Sequence, residues 1–180
     1  IVSDGVDREI RASKARPVAR ADATFLVTHM MRGVLNEGTG AGARAAGFAL
    51  DAAGKTGTTN DLRDAWFIGF TPELLTAVWV GFDDNQPIGL SGSQAALPIW
   101  TAFMRRALAG RPTLPFEVPE GIEFASVDAA TGQLATANCP RVVNEAFIAG
   151  TAPTRSCDVH AGGFGSILSK LGGLFRRIVR

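Results

Sequence analysis

The sequence predicts an α+β fold: an antiparallel sheet flanked by helices, with a small β-rich C-terminal appendix. Apolar residues recur at helical spacing over 22–36 and again over 96–108. Between these segments stand three short strand-like runs, the last two divided only by Thr71-Pro72-Glu73. Beyond Gly110, Pro112, Pro115 and Pro119 interrupt any helix, and the pattern turns to short strands. The chain thus divides into a main portion at 1–110, an extension at 111–160 and a tail at 161–180.

Each element has its own justification. Asp22 or Thr24 can cap the first helix, whose apolar spacing is set by Leu26, Val27, Met30, Met31, Val34 and Leu35. Gly38 and Gly40 stop it. His29 lies within this helix and reads as a packed or solvent-facing side chain rather than a catalytic one. A Gly/Ala-rich connection over 39–47 leads to strands at 53–58, 65–70 and 75–82. Short polar turns between neighbouring strands favour an antiparallel meander. The second helix carries Pro98 in its first turn, with Ile99, Phe103 and Met104 expected inward and Arg105 and Arg106 solvated. In the extension, 122–127 and 133–136 read as strands around the turn Asp128-Ala129-Ala130-Thr131-Gly132.

Composition excludes several classes. With 46% apolar and 19% charged residues, the chain is not disordered. Its 18 Lys+Arg against 17 Asp+Glu leave a net charge of +1, which argues against a nucleic-acid binder. No apolar run approaches the roughly 18 to 20 residues that span a bilayer. The first residue is Ile1, and the chain reads as a piece of something longer. The two cysteines, Cys139 and Cys157, and the distant His29 and His160 lack the clustered spacing of a zinc site, so neither a metal nor a cofactor is expected. The cysteines stand either as buried thiols or as one disulfide.

Chemistry concentrates in Lys55-Thr56-Gly57-Thr58-Thr59-Asn60-Asp61. A strand edge with free N–H groups can donate to an oxyanion, as acyl transfer demands. Lys55 supplies a cation, the Thr56 and Thr58 hydroxyls can bond a carboxylate, and Gly57 lets a ligand approach the backbone. The plainer reading is a Thr-rich strand with one solvated lysine. The surroundings weigh against it: Gly38-Thr39-Gly40 comes before, and Asp64-Ala65-Trp66-Phe67-Ile68-Gly69-Phe70-Thr71-Pro72-Glu73, Val78-Trp79-Val80-Gly81 and Ala96-Leu97-Pro98-Ile99-Trp100 come after. In that order and spacing the chain resembles the transpeptidase domain of bifunctional class A penicillin-binding proteins. Gly150-Thr151-Ala152-Pro153-Thr154, beside Cys157, resembles their C-terminal extension, and the resemblance covers about residues 1–158.

The resemblance implies a serine acyl transferase that cross-links peptidoglycan stem peptides and is acylated by β-lactams. Residues 1–110 would be the C-terminal portion of its transpeptidase domain, on the extracytoplasmic face of the bacterial inner membrane. Lys55, Thr56 and Thr58 would hold the substrate carboxylate, the Thr58 amide would supply half of the oxyanion hole, and Gly57 would keep the strand open. The extracytoplasmic location also makes a Cys139–Cys157 disulfide the expectation. The departure from the family is as informative. Ser3, Ser13, Ser91, Ser93, Ser126, Ser156, Ser166 and Ser169 stand in neither S-x-x-K nor S-x-N, so the nucleophile is expected upstream of Ile1, in the other half of the same domain, with a glycosyltransferase domain and membrane anchor further upstream. By itself the chain is expected to be inactive.

Two rivals remain. A class A β-lactamase shares K-T-G but fits Thr59-Asn60-Asp61 and Trp66-Phe67 poorly. A non-catalytic extracytoplasmic module could hold a peptide carboxylate on the same strand, and sequence upstream of Ile1 would separate it from an enzyme. In the tail, Phe164, Ile167, Leu168, Leu171, Leu174, Phe175 and Ile178 sit at helical spacing among Lys170, Arg176, Arg177 and Arg180. Such a stretch could lie on an anionic membrane surface, dock on a partner, or pack on its own domain.

Overall fold

A computed structural model describes residues 17–160 and two short N-terminal strands, β1 (Val2–Ser3) and β2 (Val6–Asp7), which pair antiparallel. The amphipathic tail at 161–180 lies outside the described residues. Among those described, no helix is long and apolar enough to cross a membrane.

The α+β architecture is the one the sequence predicts. Helix α1 (Ala21–Asn36) leads through the short α2 (Gly42–Ala45) to strand β3 (Ala53–Thr58), followed by β4 (Ala65–Phe70), β5 (Leu75–Val80) and α3 (Ala96–Ala107). Strands β3, β4 and β5 form an antiparallel meander in that order, with Lys55 opposite Ile68 and Ile68 opposite Ala77. The helices cover one face. Phe67 on that face is fully buried against Trp100 of α3, ring centroids 5.0 Å apart, and Phe48 meets the same indole edge-on at 5.1 Å. Leu35, Leu97, Met104 and Leu108 complete this core. Burying each such side chain contributes about 1.5–3 kcal/mol. The indole packs against Gly69, where a Cβ would stand 2.6 Å from it, and its N–H donates to the Gly69 carbonyl at 3.2 Å.

Several expectations need correction. Neither Asp22 nor Thr24 caps α1; the helix starts one residue before Asp22, with Arg20 at the cap position and Asp22 paired to the Arg20 guanidinium. The stretch 39–47 is not all connection, since α2 lies within it. Ile99 and Phe103 do not face inward: they are 52% and 48% exposed, while Leu97, Trp100, Thr101 and Met104 are buried. The α3 stripe is rotated because Trp100 claims the position over the glycine of β4.

The extension is a two-stranded antiparallel sheet of β6 (Ile122–Asp128) and β7 (Val142–Ile148). The strand expected at 133–136 is absent; Leu134 makes only single bridges, to Val127 and Ser156. The real partner of β6 lies further on, where Asn144 and Glu145 interrupt the apolar pattern of β7. Glu145 faces α1 and reaches His29 Nε2 at 3.3 Å, and His29 packs against the rings of Phe25 and Phe124. Arg141 pairs with Glu37 beside this seam.

Candidate functional site

Among the described residues strand β3 is an edge of its sheet, so half of its backbone groups face no neighbouring strand there. Strand amides alternate in direction. The Thr59 N–H is turned toward β4, donating to the Asp64 carbonyl at 3.1 Å, and this aims the Thr58 N–H out of the free edge. The Thr56 backbone points the same way, and Lys55 Nζ sits on the Thr56 carbonyl at 2.7 Å, which places the ammonium at that edge. The register puts Gly57 opposite Trp66 and Trp66 opposite Trp79 on the face away from the helices. Thr56 and Thr58 lie on the helix-covered face, both near the rim.

Each hydroxyl is held from outside the strand. Thr56 Oγ1 meets Thr39 Oγ1 at 2.9 Å, and Thr39 belongs to the turn after α1. Thr58 Oγ1 accepts the Gly92 N–H at 3.0 Å, which leaves its own proton free for a ligand. Gly92 comes so near that a Cβ there would lie 2.4 Å from the Trp66 carbonyl and 2.5 Å from that of Gly57. The next turn is fixed by Asp64, which accepts from Trp79 Nε1 at 2.8 Å and from Thr59 Oγ1 at 3.2 Å. Asp61 and Leu62 adopt left-handed backbone, and the Leu62 carbonyl accepts from the amides of Ile88 and Gly89. The edge is therefore a rigid row: a cation, an outward amide and two hydroxyls.

Residues 1–105, more than half of the chain, match the penicillin binding protein transpeptidase domain. The chain belongs to that family. Residues 118–162 match the C-terminal domain of penicillin-binding protein 1A. Penicillin-binding protein 1A of Rickettsia bellii is 39% identical over 133 residues, 73% of this chain and 17% of that protein. The Pseudomonas aeruginosa protein of the same name is 38% identical over 135 residues, 74% of this chain and 16% of its own. The crystal structure of penicillin-binding protein 1A from Haemophilus influenzae superposes with a TM-score of 0.68 at 34% identity, covering 78% of this chain and 22% of that one. The chain thus spans less than a quarter of the length of each of these relatives.

Within this transpeptidase fragment, Lys55, Thr56, Gly57 and Thr58 fall together on the open edge. Gly57 has a second demand on it, since a Cβ would come 3.1 Å from Trp66 Cβ. Sequence reasoning missed Gly92, whose only signal was a glycine among small polar residues, and gave Thr39 no role.

Cys139 and Cys157 stand as unbonded thiols in this structure. Their sulfurs share a cluster with His160 and Asp128 in which all four ligand atoms lie within 4.8 Å of one another. The sequence spacing that argued against such a cluster is bridged by the fold: the end of β6, the 136–139 turn and the segment after Ser156 converge through the bridges at Leu134.

Proposed function

We propose that this chain supplies the substrate-carboxylate and oxyanion strand of a serine D,D-transpeptidase that cross-links peptidoglycan stem peptides and is acylated by β-lactams. The observation that carries the reading is the free edge of β3 in a penicillin-binding transpeptidase fragment, with Lys55, the Thr58 amide and two anchored hydroxyls in one row. Lys55 and the Thr56 and Thr58 hydroxyls take the terminal carboxylate of the peptide or the β-lactam. The Thr58 N–H then stabilises the charge that grows on the attacked carbonyl oxygen. Gly57 leaves the backbone approachable. The division of labour along the chain is a transpeptidase portion at 1–110 and a C-terminal extension at 111–160.

Catalysis requires a nucleophile, and no serine of this chain stands in S-x-x-K. In this reading the serine and its lysine come from polypeptide outside these 180 residues, which packs against the open edge and the Trp66 and Trp79 face. The working enzyme is extracytoplasmic, held at the bacterial inner membrane and joined to a glycosyltransferase domain. The 164–180 tail adds a basic membrane contact. Labelling with a fluorescent penicillin, read by denaturing gel and intact mass, tests the assignment. The isolated chain is expected to take no covalent label, whereas a longer product with S-x-x-K upstream labels stoichiometrically. An adduct on any serine of this chain would contradict the reading, and so would a longer product that carries the motif, folds and stays unlabelled.

A further inference from the structure

The cluster beside β6 has no part in acyl transfer as described above, and its geometry is that of a ligand set. Cys157 Sγ lies 3.4 Å from His160 Nδ1 and 3.7 Å from Asp128 Oδ2, and His160 Nδ1 lies 3.4 Å from Asp128 Oδ1. A tetrahedral zinc with Zn–S near 2.3 Å and Zn–N and Zn–O near 2.0–2.2 Å separates its ligand atoms by about 3.3–3.8 Å. These three separations fall in that band, and Cys139 Sγ lies within 4.8 Å of the other ligand atoms. A disulfide would need the sulfurs about 2.05 Å apart, a bond the structure does not make. We propose that Asp128, Cys139, Cys157 and His160 bind one zinc ion that ties together the loops of the C-terminal extension.

Independent details point to a ligand. Asp128 is completely buried, and its Oδ1 has no hydrogen-bond partner although it is aimed at the cluster. An orphaned buried carboxylate oxygen is costly unless something cationic meets it. Its other oxygen, Oδ2, accepts from the amide and the hydroxyl of Thr131 at 3.0 and 2.8 Å, which fixes the carboxyl in place. Cys139 Sγ accepts the Thr136 N–H at 3.2 Å, an amide-to-sulfur bond that stabilises a metal-bound thiolate. Cys157 and His160 form a C-x-x-H pair on one turn.

The donor set selects the metal. Two thiolates and an imidazole exclude calcium and magnesium, which take oxygen ligands, and four protein ligands with no open position describe a structural zinc site. On binding, each cysteine thiol gives its proton to solvent and each sulfur lone pair fills one zinc–sulfur bond; no redox change occurs. His160 coordinates through Nδ1, the nitrogen turned to Asp128, and keeps its proton on Nε2. The physical need is clear. A two-stranded sheet is marginal by itself, and the described loops over 129–141 and 149–160 contain no helix or strand.

Zinc content decides the matter on the full 180-residue chain, produced with zinc and purified without chelators. Elemental analysis is expected to find one zinc per chain, X-ray absorption to show two sulfurs and two lighter ligands, and alkylation after denaturation in chelator to count two thiols. Chain purified free of zinc is expected to take up cobalt(II) with the intense visible bands of tetrahedral sulfur coordination. His160→Ala, Cys157→Ser and the near-isosteric Asp128→Asn should each reduce retained zinc to below roughly a fifth of wild type in competition with a chelator. If a cysteine variant does not fold, the cobalt spectrum of the wild-type chain carries the test. Zinc near zero overturns the proposal, as does a mass 2 Da below the reduced value, which marks a disulfide, or the pale spectrum of octahedral cobalt.

Discussion

Thr58 and Gly92 show how closely the edge of β3 is tuned. The Gly92 amide needs to reach Thr58 Oγ1, and the room for that approach exists only because residue 92 has no Cβ facing the Trp66 and Gly57 carbonyls. Gly92→Ala forces backbone against backbone, where no side chain can swing aside. It should cost about 1–3 kcal/mol, the usual range for overpacking. Urea denaturation of the chain checks this: a midpoint unchanged from wild type would mean that the 91–94 segment does not pack on the strand as described. The placement of Lys55, Thr56, Gly57 and Thr58 on one strand was legible in the sequence, because strand pattern is a short-range property, whereas the roles proposed for them come from the family resemblance. Gly92 and Thr39 were not legible, since their roles depend on contacts 34 and 17 residues away.

At the scale of elements, periodicity identified α1 and all three strands of the meander, because each has an unbroken pattern bounded by glycine or turn residues. It assigned the wrong face to α3, where the volume of Trp100 and the bare backbone of Gly69 decide the rotation, and the spacing of apolar side chains alone does not. It missed β7, whose apolar pattern is broken by the exposed Asn144 and by Glu145, which reaches His29 of α1. The corrected face of α3 has a direct consequence. Met104→Ala should destabilise the chain by about 2–5 kcal/mol, since it empties a fully buried site. Ile99→Ala should lie within about 0.5 kcal/mol of wild type, as befits an exposed position. Equal costs in paired chemical denaturation would contradict the assigned orientation.

On the scale of the whole molecule, the sheet has one face under helices and, among the described residues, one without cover. Trp66 and Trp79 are cross-strand partners, 39% and 43% exposed, and Ile68, opposite Ala77, is next to them on the same face. Contiguous apolar surface of this kind favours association, so the isolated chain should self-associate, and Ile68→Thr should lower the associated fraction in sedimentation velocity. No change on that substitution would mean that another surface drives it. The same open side is where the proposed nucleophile-bearing segment would meet β3, so acylation is a property of the assembled domain. The most direct test is therefore the stopped-flow acylation rate of the longer penicillin-binding protein carrying this segment, with Lys55→Ala compared with wild type. Losing one charged hydrogen-bond partner of the substrate carboxylate costs about 1.5–3 kcal/mol, so the account predicts a rate lower by about one to two decades. A rate within about twofold of wild type, less than about 0.4 kcal/mol in the barrier, would contradict the role given to this strand.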